Sequence, residues 1–175
     1  IKDQQKSIET LSMLASLDDL TKLPNYRSFQ SSLDKEIASI ERYKHSSILA
    51  LADLDAFKSV NDQHGHIAGD HVLQTVAGYF SDNIRKSDLV ARYGGEEFVF
   101  ILRRTTLDDG FRILDRLREK ISHLIVEYQG EKISVTMSVG VTLIAHENTP
   151  TKHELLKQAD TAMYLAKKAG RNRTV

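Results

Sequence analysis

The 175-residue sequence contains no cysteine and has no excess of charge of either sign. Without cysteine the chain can form no disulfide bond and can use no thiol chemistry, a composition typical of a reducing compartment, so we expect a cytoplasmic domain. Lysine and arginine together number 24, and so do aspartate and glutamate. Because no net positive field attracts a polyanion, the composition argues against nucleic acid as a partner, and any phosphate binding must be local.

Long apolar runs are also missing, and the start of the chain lacks a signal-peptide pattern. We therefore expect this domain to make no contact with a membrane. With 41% hydrophobic and 27% charged residues, the length suits one globular domain with a buried core. The chain begins at Ile1 without an initiator methionine. We interpret it as a piece of a longer protein, whose upstream part could hold a sensor, a receiver or a membrane anchor.

Hydrophobic periodicity predicts the order of helices and strands. Residues 1–17 have helical spacing and are predicted to be a lead-in helix, the end of a linker from an upstream sensor region, before a domain over 18–175. The apolar run 48–52 predicts a buried central strand, and Asp55 is the predicted N-cap of the next helix. Alternation over 133–141 predicts one half-buried strand. The order helix, strand, helix, helix, hairpin, helix, strands, helix predicts an α+β fold with antiparallel strand pairs covered by helices.

A glycine pair followed by two carboxylates is the most informative feature of the chain. Gly94 and Gly95 lie between two apolar strand-like segments, and Glu96 and Glu97 follow directly. The glycines predict a hairpin turn that tolerates positive φ and lets a ligand approach the backbone. The alternative interpretation is an ordinary hairpin with a solvated acidic tip.

Asp53, at the end of the predicted central strand, is a second acid on a stiff element. If the hairpin lies beside this strand, Asp53 and Glu96 form a hard-oxygen site suited to Mg²⁺, completed by water and substrate phosphates. Otherwise they are two unrelated surface acids. A helix begins just after Asp53, near Lys58, and offers free backbone N–H groups and an ammonium group to anionic oxygens. These features together predict a nucleoside triphosphate site.

Four motifs in order resemble those of the GGDEF domains, diguanylate cyclases that condense two GTP molecules into cyclic di-GMP. The resemblance covers about residues 18–173, and its motifs are 53–62, 65–70, 94–98 and 166–172. The third place of the signature turn is Glu96, a variant found among active members. Lys22 replaces the usual glycine of the family and Tyr26 replaces a frequent arginine, at positions that do not carry the chemistry.

The resemblance implies a fold and a metal site. The expected fold is a central five-stranded, mostly antiparallel sheet wrapped by helices, similar to adenylate cyclase catalytic domains and polymerase palms. The implied metal ligands are the Asp53 carboxylate, the Leu54 backbone carbonyl and Glu96. Mg²⁺ is the expected ion, with Mn²⁺ as a second option.

The resemblance also implies roles for substrate-binding residues. Glu96, Glu97 and Lys58 are the implied catalytic residues, and which glutamate takes the proton of the 3′-hydroxyl group stays open. Asn61 and Asp70 would bind guanine, while Lys58, Lys167 and Arg171 would hold phosphates. The full implied substrate set is Phe57, Lys58, Asn61, His66, Asp70, Gly94, Gly95, Lys167 and Arg171. Taken alone, Asp70 is more typical of a helix start than of a base-binding site, and Lys167 and Arg171 also suit the end of a helix.

Three histidines, His64, His66 and His71, raise the question of zinc. Their spacing matches no structural zinc signature and the chain has no cysteine, which favours ordinary polar histidines.

Arg85 and Asp88 match the RxxD motif at which product restrains activity in some members of the family, and Arg116 lies where a second arginine often joins that site. Guanidinium groups suit the phosphates and guanine edges of such a product. The alternative is a solvated Arg–Asp pair with little energetic value.

The leading hypothesis is therefore an active diguanylate cyclase that works as a homodimer with one GTP per subunit, releases two pyrophosphates and is inhibited by its product, cyclic di-GMP. The second hypothesis is a catalytically silent module that binds cyclic di-GMP or GTP. A third is a competent domain that is inactive because its dimerising region is missing. The retained signature turn and Asp53 favour the enzyme.

Overall fold

The computed structural model describes residues 16–147 and 150–175. Of the predicted lead-in helix, residues 1–15 lie outside this part of the chain. Its last two residues are not helical: Ser16 lies in a turn, and Leu17 forms an isolated antiparallel bridge with Pro24. No helix of the described residues is long and apolar enough to cross a bilayer.

Within the described residues, eleven helices and strands follow one another in the predicted order. The helices are α1 (Tyr26–Tyr43), α2 (Phe57–His64), α3 (His66–Asn83), α4 (Leu107–Ser122) and α5 (Lys152–Lys168). The strands are β1 (Ser47–Leu54), β2 (Leu89–Gly94), β3 (Glu97–Leu102), β4 (Ile125–Tyr128), β5 (Glu131–Ser134) and β6 (Met137–Ile144).

The strands form a four-stranded sheet in the order β2-β3-β1-β6 and a separate hairpin of β4 and β5. Every neighbouring pair is antiparallel. The α+β class and the antiparallel sheet are confirmed, but the expected count of five strands in one sheet is wrong. The predicted strand over 133–141 is divided, because β5 ends at Ser134 and β6 begins at Met137. Between them the carbonyl of Thr136 accepts a hydrogen bond from the Asp55 amide (2.8 Å), which directs the chain from the hairpin into the sheet.

Strand β1 lies between β3 and β6 and is buried along its whole length. Its run of small and aliphatic side chains suits this position, since helices cover both faces of the sheet. One face packs against α2, α3 and α4, and the other packs against α1 and α5. The ends of β1 and β3 are therefore held between two helical layers.

Helix α5 lies unusually close to β6. A Cβ atom on Gly140 would lie 2.1 Å from the Ala159 carbonyl oxygen and 2.2 Å from the Met163 nitrogen. Because both atoms belong to the helix backbone, only glycine permits this approach. A capping box of Thr151 and Glu154 fixes the start of the helix. The packing fixes the path of α5 along the sheet toward the end of β1.

Asp55 does not cap α2, contrary to the prediction. The residue before α2 is Ala56, in a left-handed conformation (φ 54°), and no side chain caps the helix. The Asp55 carboxylate instead accepts hydrogen bonds from residues far away in the sequence, at the edge of the candidate site.

Candidate functional site

The signature hairpin lies directly beside the central strand, which is the arrangement on which the predicted metal site depends. Asp53 is opposite Glu97 of β3 and Ser138 of β6 in the register of the sheet. The amide of Leu54 donates a hydrogen bond to the carbonyl oxygen of Glu96 (3.2 Å). The predicted metal and catalytic acids are thus brought together at one end of β1 and β3, although their roles stay predictions.

The turn itself is formed by Gly95 and Glu96 between β2 and β3. Gly95 has φ +51°, a conformation that favours glycine. The Arg92 guanidinium binds this turn, because its Nε and Nη2 donate to the Gly95 carbonyl oxygen (3.0 and 2.9 Å). Its Nη1 forms an ion pair with Asp18 (3.0 Å). A Cβ atom on Gly94 or Gly95 would meet no atom of the described residues within 4 Å. The outer side of the turn is therefore open to a ligand.

Negative charge is concentrated at the end of β1. Burial raises the pKa of Asp53, whose residue is 8% exposed, and the charges of Glu96 and Asp55 raise it further. Burial also raises the pKa of Glu97, with Asp53 as the next cause. Unfavourable desolvation and mutual repulsion are the conditions that a bound cation relieves.

Lys167 supplies the positive charge nearest to this acidic group. Its Nζ lies 3.1 Å from Asp53 Oδ1, and this hydrogen bond opposes the rise in the Asp53 pKa. Among residues 16–147 and 150–175, no three acidic or histidine side chains form a ready-made metal cage. Mg²⁺ commonly takes only one or two protein carboxylates and completes its shell with water and substrate phosphates. Asp53 and Glu96 fit that requirement.

The residues predicted to bind guanine lie together at the junction of α2 and α3. A Cβ atom on Gly69 would lie 1.9 Å from Asn61 Oδ1 and 3.2 Å from Phe57 Cζ. The missing side chain at Gly69 therefore lets Asn61 and Phe57 pack against α3, one residue before Asp70. Asp70 is exposed. Asn61 thus packs against the residue that precedes Asp70, and an amide and a carboxylate are groups suited to the hydrogen-bonding edge of a purine.

Lys58 and His66 are both exposed, near the starts of α2 and α3. His64 pairs with Glu131, and the ring of His71 contacts Tyr128 with centroids 5.7 Å apart. The three histidines thus face different surroundings rather than one centre.

The predicted phosphate segment follows the last turn of α5. The helix ends in a Schellman arrangement, in which the amide of Gly170 donates to the Lys167 carbonyl (3.3 Å) and the amide of Arg171 donates to the Ala166 carbonyl (3.1 Å). Gly170 has φ +112°, a conformation that favours glycine just after a helix end. Arg171 is exposed, and no ion pair engages its guanidinium within the described chain.

The sequence interpretation missed two acids at this site. Asp160 is exposed on α5, and its charge raises the pKa of both Glu97 and Tyr93. It precedes Lys167 by seven residues, which is two helical turns, so helical spacing from Lys167 could have identified it. The second acid is Asp55, and no local pattern indicates its role.

The residues of the predicted inhibitory site lie on two elements, the loop before β2 and helix α4. Arg85 and Asp88 lie on the loop before β2 and line a cavity of about 290 Å³. The Asp88 carboxylate accepts a hydrogen bond from the Arg103 amide (3.0 Å), and the Asp88 amide donates to the Arg85 carbonyl (2.9 Å). Among the described residues no ion pair joins the side chains of Arg85 and Asp88. Arg116 is exposed on α4, and within the described residues no hydrogen bond or ion pair joins it to Arg85 or Asp88. The loop is therefore anchored to Arg103, the residue after β3, and within the described part of the chain no hydrogen bond or ion pair engages the Arg85 side chain.

Comparison with known proteins identifies a single family. Residues 15–173 match the family described as diguanylate cyclase, GGDEF domain. The diguanylate cyclase DgcP of Pseudomonas aeruginosa is 42% identical over 159 residues, which are 91% of this chain and 23% of DgcP. The chain thus spans about a quarter of the length of this relative.

Solved structures show the same fold. The diguanylate cyclase SiaD of Pseudomonas aeruginosa, in complex with its activator SiaC, superposes with a TM-score of 0.89 at 37% identity, covering 99% of this chain and 66% of that one. The coiled coil and GGDEF domain of DgcB from Caulobacter crescentus, in complex with c-di-GMP, superposes with a TM-score of 0.92 at 29% identity, covering 99% of this chain and 92% of that one.

Proposed function

The chain belongs to the family of diguanylate cyclase GGDEF domains, and on that premise we propose that it condenses two molecules of GTP into one cyclic di-GMP with release of two pyrophosphates. The observation that carries the proposal is the acidic group of Asp53, Glu96 and Glu97 beside an open glycine turn, with Lys167 at hydrogen-bond distance from Asp53. A chain that only kept the fold would have no need for mutually repelling carboxylates around the buried Asp53.

GTP is the substrate best suited to the groups around this centre. Asn61 and Asp70 offer an acceptor pair to the N1–H and amino donors of guanine. Lys58, Lys167 and Arg171 bind the β- and γ-phosphates, and Phe57, His66, Gly94 and Gly95 complete the pocket. The open outer side of the turn lets the phosphates approach the backbone.

Asp53, Glu96 and the carbonyl of Leu54 hold a divalent cation, Mg²⁺ in the first instance. When bound, this ion neutralises charge that develops on the α-phosphate and on the leaving pyrophosphate. The protein residues orient the phosphates. With the cation bound to Asp53, the Lys167 ammonium group, which pairs with that carboxylate at 3.1 Å, would become available to the nucleotide. Glu97 and Glu96 are the groups that can accept the proton of the attacking 3′-hydroxyl group, and the raised pKa of Glu97 suits this task.

The reaction needs two nucleotides, and one chain offers one such pocket. A homodimer with facing pockets brings the 3′-hydroxyl of one GTP to the α-phosphate of the other. Product binds at Arg85 and Asp88, where Arg116 of α4 supplies a second guanidinium group, and restrains the rate. The compartment is the cytoplasm, which supplies GTP.

The experiment that tests the proposal is incubation of the purified chain with GTP and Mg²⁺ at high protein concentration, followed by chromatographic separation of the nucleotides. We expect cyclic di-GMP from the wild type and none from Glu97→Gln, which keeps the shape of the side chain and removes its charge. Binding of GTP without turnover, even in a chain forced to dimerise, would refute the enzyme and favour a binding module.

A further inference from the structure

The segment that follows α5 has an unusual backbone. Gly170, Arg171 and Asn172 are three consecutive residues with left-handed φ angles of 112°, 62° and 44°. Glycine is the common residue at the first of these positions, and asparagine tolerates the region, but arginine seldom adopts it. Such a conformation persists only where the surrounding contacts determine it. The backbone of Arg171 has two local bonds: its amide donates to the Ala166 carbonyl (3.1 Å), and Arg173 Nε donates to its carbonyl oxygen (3.2 Å). The contacts that join the segment to other parts of the fold lie on Asn172.

Asn172 is held from two sides. Its backbone amide donates to Asp55 Oδ2 (3.0 Å), and its side-chain Oδ1 accepts a hydrogen bond from Arg118 Nη1 (2.9 Å). These two partners come from different parts of the fold, because Asp55 follows β1 and Arg118 lies on α4. The left-handed residues Arg171 and Asn172 are thus attached both to the end of the central strand and to helix α4.

Both partners are themselves fixed. Asp55 is 8% exposed and also accepts hydrogen bonds from Thr136 Oγ1 and Ser138 Oγ, each at 2.7 Å. Arg118 Nε donates to Asp115 Oδ1 (2.7 Å), which also accepts from Thr174 Oγ1 (3.1 Å). This charge-assisted bond holds the guanidinium plane in place and lowers the pKa of Asp115.

Beyond Asn172 the chain continues as a short parallel bridge to β6. The Val139 amide donates to the Arg173 carbonyl, and the Val175 amide donates to the Val139 carbonyl, each at 2.9 Å. The segment is therefore anchored at both ends: Lys167 and the Schellman turn lie before it, and this bridge lies after it. Arg171 lies between the two anchors with its guanidinium unpaired among the described residues.

We propose that Arg118 and Asp55 are positioning residues for nucleotide binding: by holding Asn172, they keep Arg171 in the left-handed conformation in which its guanidinium binds the phosphates of GTP. The inference rests on the proposed function, because it takes Arg171 to be a phosphate ligand. The inference adds a hydrogen-bond network between α4 and the segment after α5, through Arg118 and Asn172, that the resemblance did not imply. The ligand expected at Arg171 is a polyphosphate anion, because a guanidinium donates paired hydrogen bonds to phosphate oxygens.

The test uses Arg118→Gln, with Arg112→Gln as the matched control. Arg112 lies on the same helix, and its side chain is 75% exposed with only a distant partner in Asp109. Each variant of the full chain is titrated with the guanosine α,β-methylene triphosphate, which cannot release pyrophosphate. We expect Arg118→Gln to raise Kd about tenfold, since a hydrogen bond from a charged donor is lost, and Arg112→Gln to leave Kd within about twofold.

A second comparison separates positioning from general support of the fold. In an Arg171→Ala background, Arg118→Gln should cause no further loss of affinity, because the residue through which it acts is gone. An equal loss in both backgrounds, or an unchanged Kd in the wild-type background, would overturn the inference.

Amide hydrogen exchange of the nucleotide-free chain supplies a readout that does not depend on GTP. Arg118→Gln should accelerate exchange at Asn172 and Val175 while amides of β1 keep the wild-type rate. Unchanged exchange at Asn172 would also overturn the inference. A wild-type chain that binds no nucleotide would refute the proposed function instead, and exchange at Asn172 would still show whether Arg118 holds the segment.

Discussion

Replacement of Glu97 by glutamine should abolish turnover and at the same time stabilise the metal-free fold. Glu97 is directly opposite Asp53 in the register of β3 and β1, and burial followed by the Asp53 charge raises its pKa. The ionised form of Glu97 therefore has a higher free energy in the folded chain than in the unfolded chain. Glutamine keeps the shape and removes the charge, so the repulsion disappears.

The size of the effect follows from the pairing. Side chains of directly opposite residues begin about 5 Å apart at Cβ, and two charges about 6 Å apart repel by about 3 kcal/mol at an effective dielectric constant of about 20. Glu97 is partly exposed and Lys167 attracts it, so solvent and cation reduce this figure to about 1 kcal/mol. For a domain of this length that free energy corresponds to a rise in Tm of about 2–4 °C.

The assay is thermal unfolding followed by circular dichroism, without divalent ions, at several pH values. Because the folded-state pKa of Glu97 is raised, the folded chain binds a proton more tightly than the unfolded chain, and the cost of the carboxylate is present at neutral pH and shrinks as pH falls through that folded pKa. The gain from glutamine should shrink in the same way. A Glu97→Gln variant that is less stable than the wild type at neutral pH would refute the reasoning, since Glu97 would then make a net favourable contact.

Three further predictions concern the rest of the site. Gly69→Ala places a methyl group 1.9 Å from Asn61 Oδ1, so calorimetric titration with the α,β-methylene analogue should show about a tenfold loss of affinity, while unchanged binding would exclude Asn61 as a ligand. Asp18→Asn weakens the ion pair that orients Arg92 on the signature turn, and we expect a lower kcat with little change in KM, whereas a change in KM alone would contradict this role. Asp88→Ala should leave the initial rate unchanged and remove inhibition by added cyclic di-GMP; inhibition equal to that of the wild type would place the product elsewhere.

Local patterns in the sequence predict those parts of the site that are close in the chain. The apolar run of β1 indicates a central strand, and the glycines before Glu96 indicate the hairpin, so the proximity of Asp53 and the signature turn depends on one assumption about strand pairing. The division of 133–141 into two strands could not be predicted, because the alternation of side chains continues through Val135 and Thr136. Only the pairing changes there, since β5 pairs with β4 and β6 pairs with β1.

Asp55 shows why the remaining features escape sequence interpretation. Its hydrogen-bond donors Thr136, Ser138 and Asn172 follow it by 81, 83 and 117 residues. At its own place in the chain, an aspartate before a helix is typical of an N-cap, and only the folded sheet reveals the other partners. The same holds for Arg118, which has the spacing of an ordinary exposed helix residue but contacts the C-terminal tail.

The central claim is that two copies of this pocket join two GTP molecules. The most direct measurement is the rate of cyclic di-GMP formation, with identified product and pyrophosphate, as a function of protein concentration in GTP and Mg²⁺. We predict one cyclic di-GMP for every two GTP consumed and a rate that rises more steeply than the first power of protein concentration until the dimer is saturated. A chain that binds GTP, is held as a dimer and still forms no cyclic di-GMP would contradict the account.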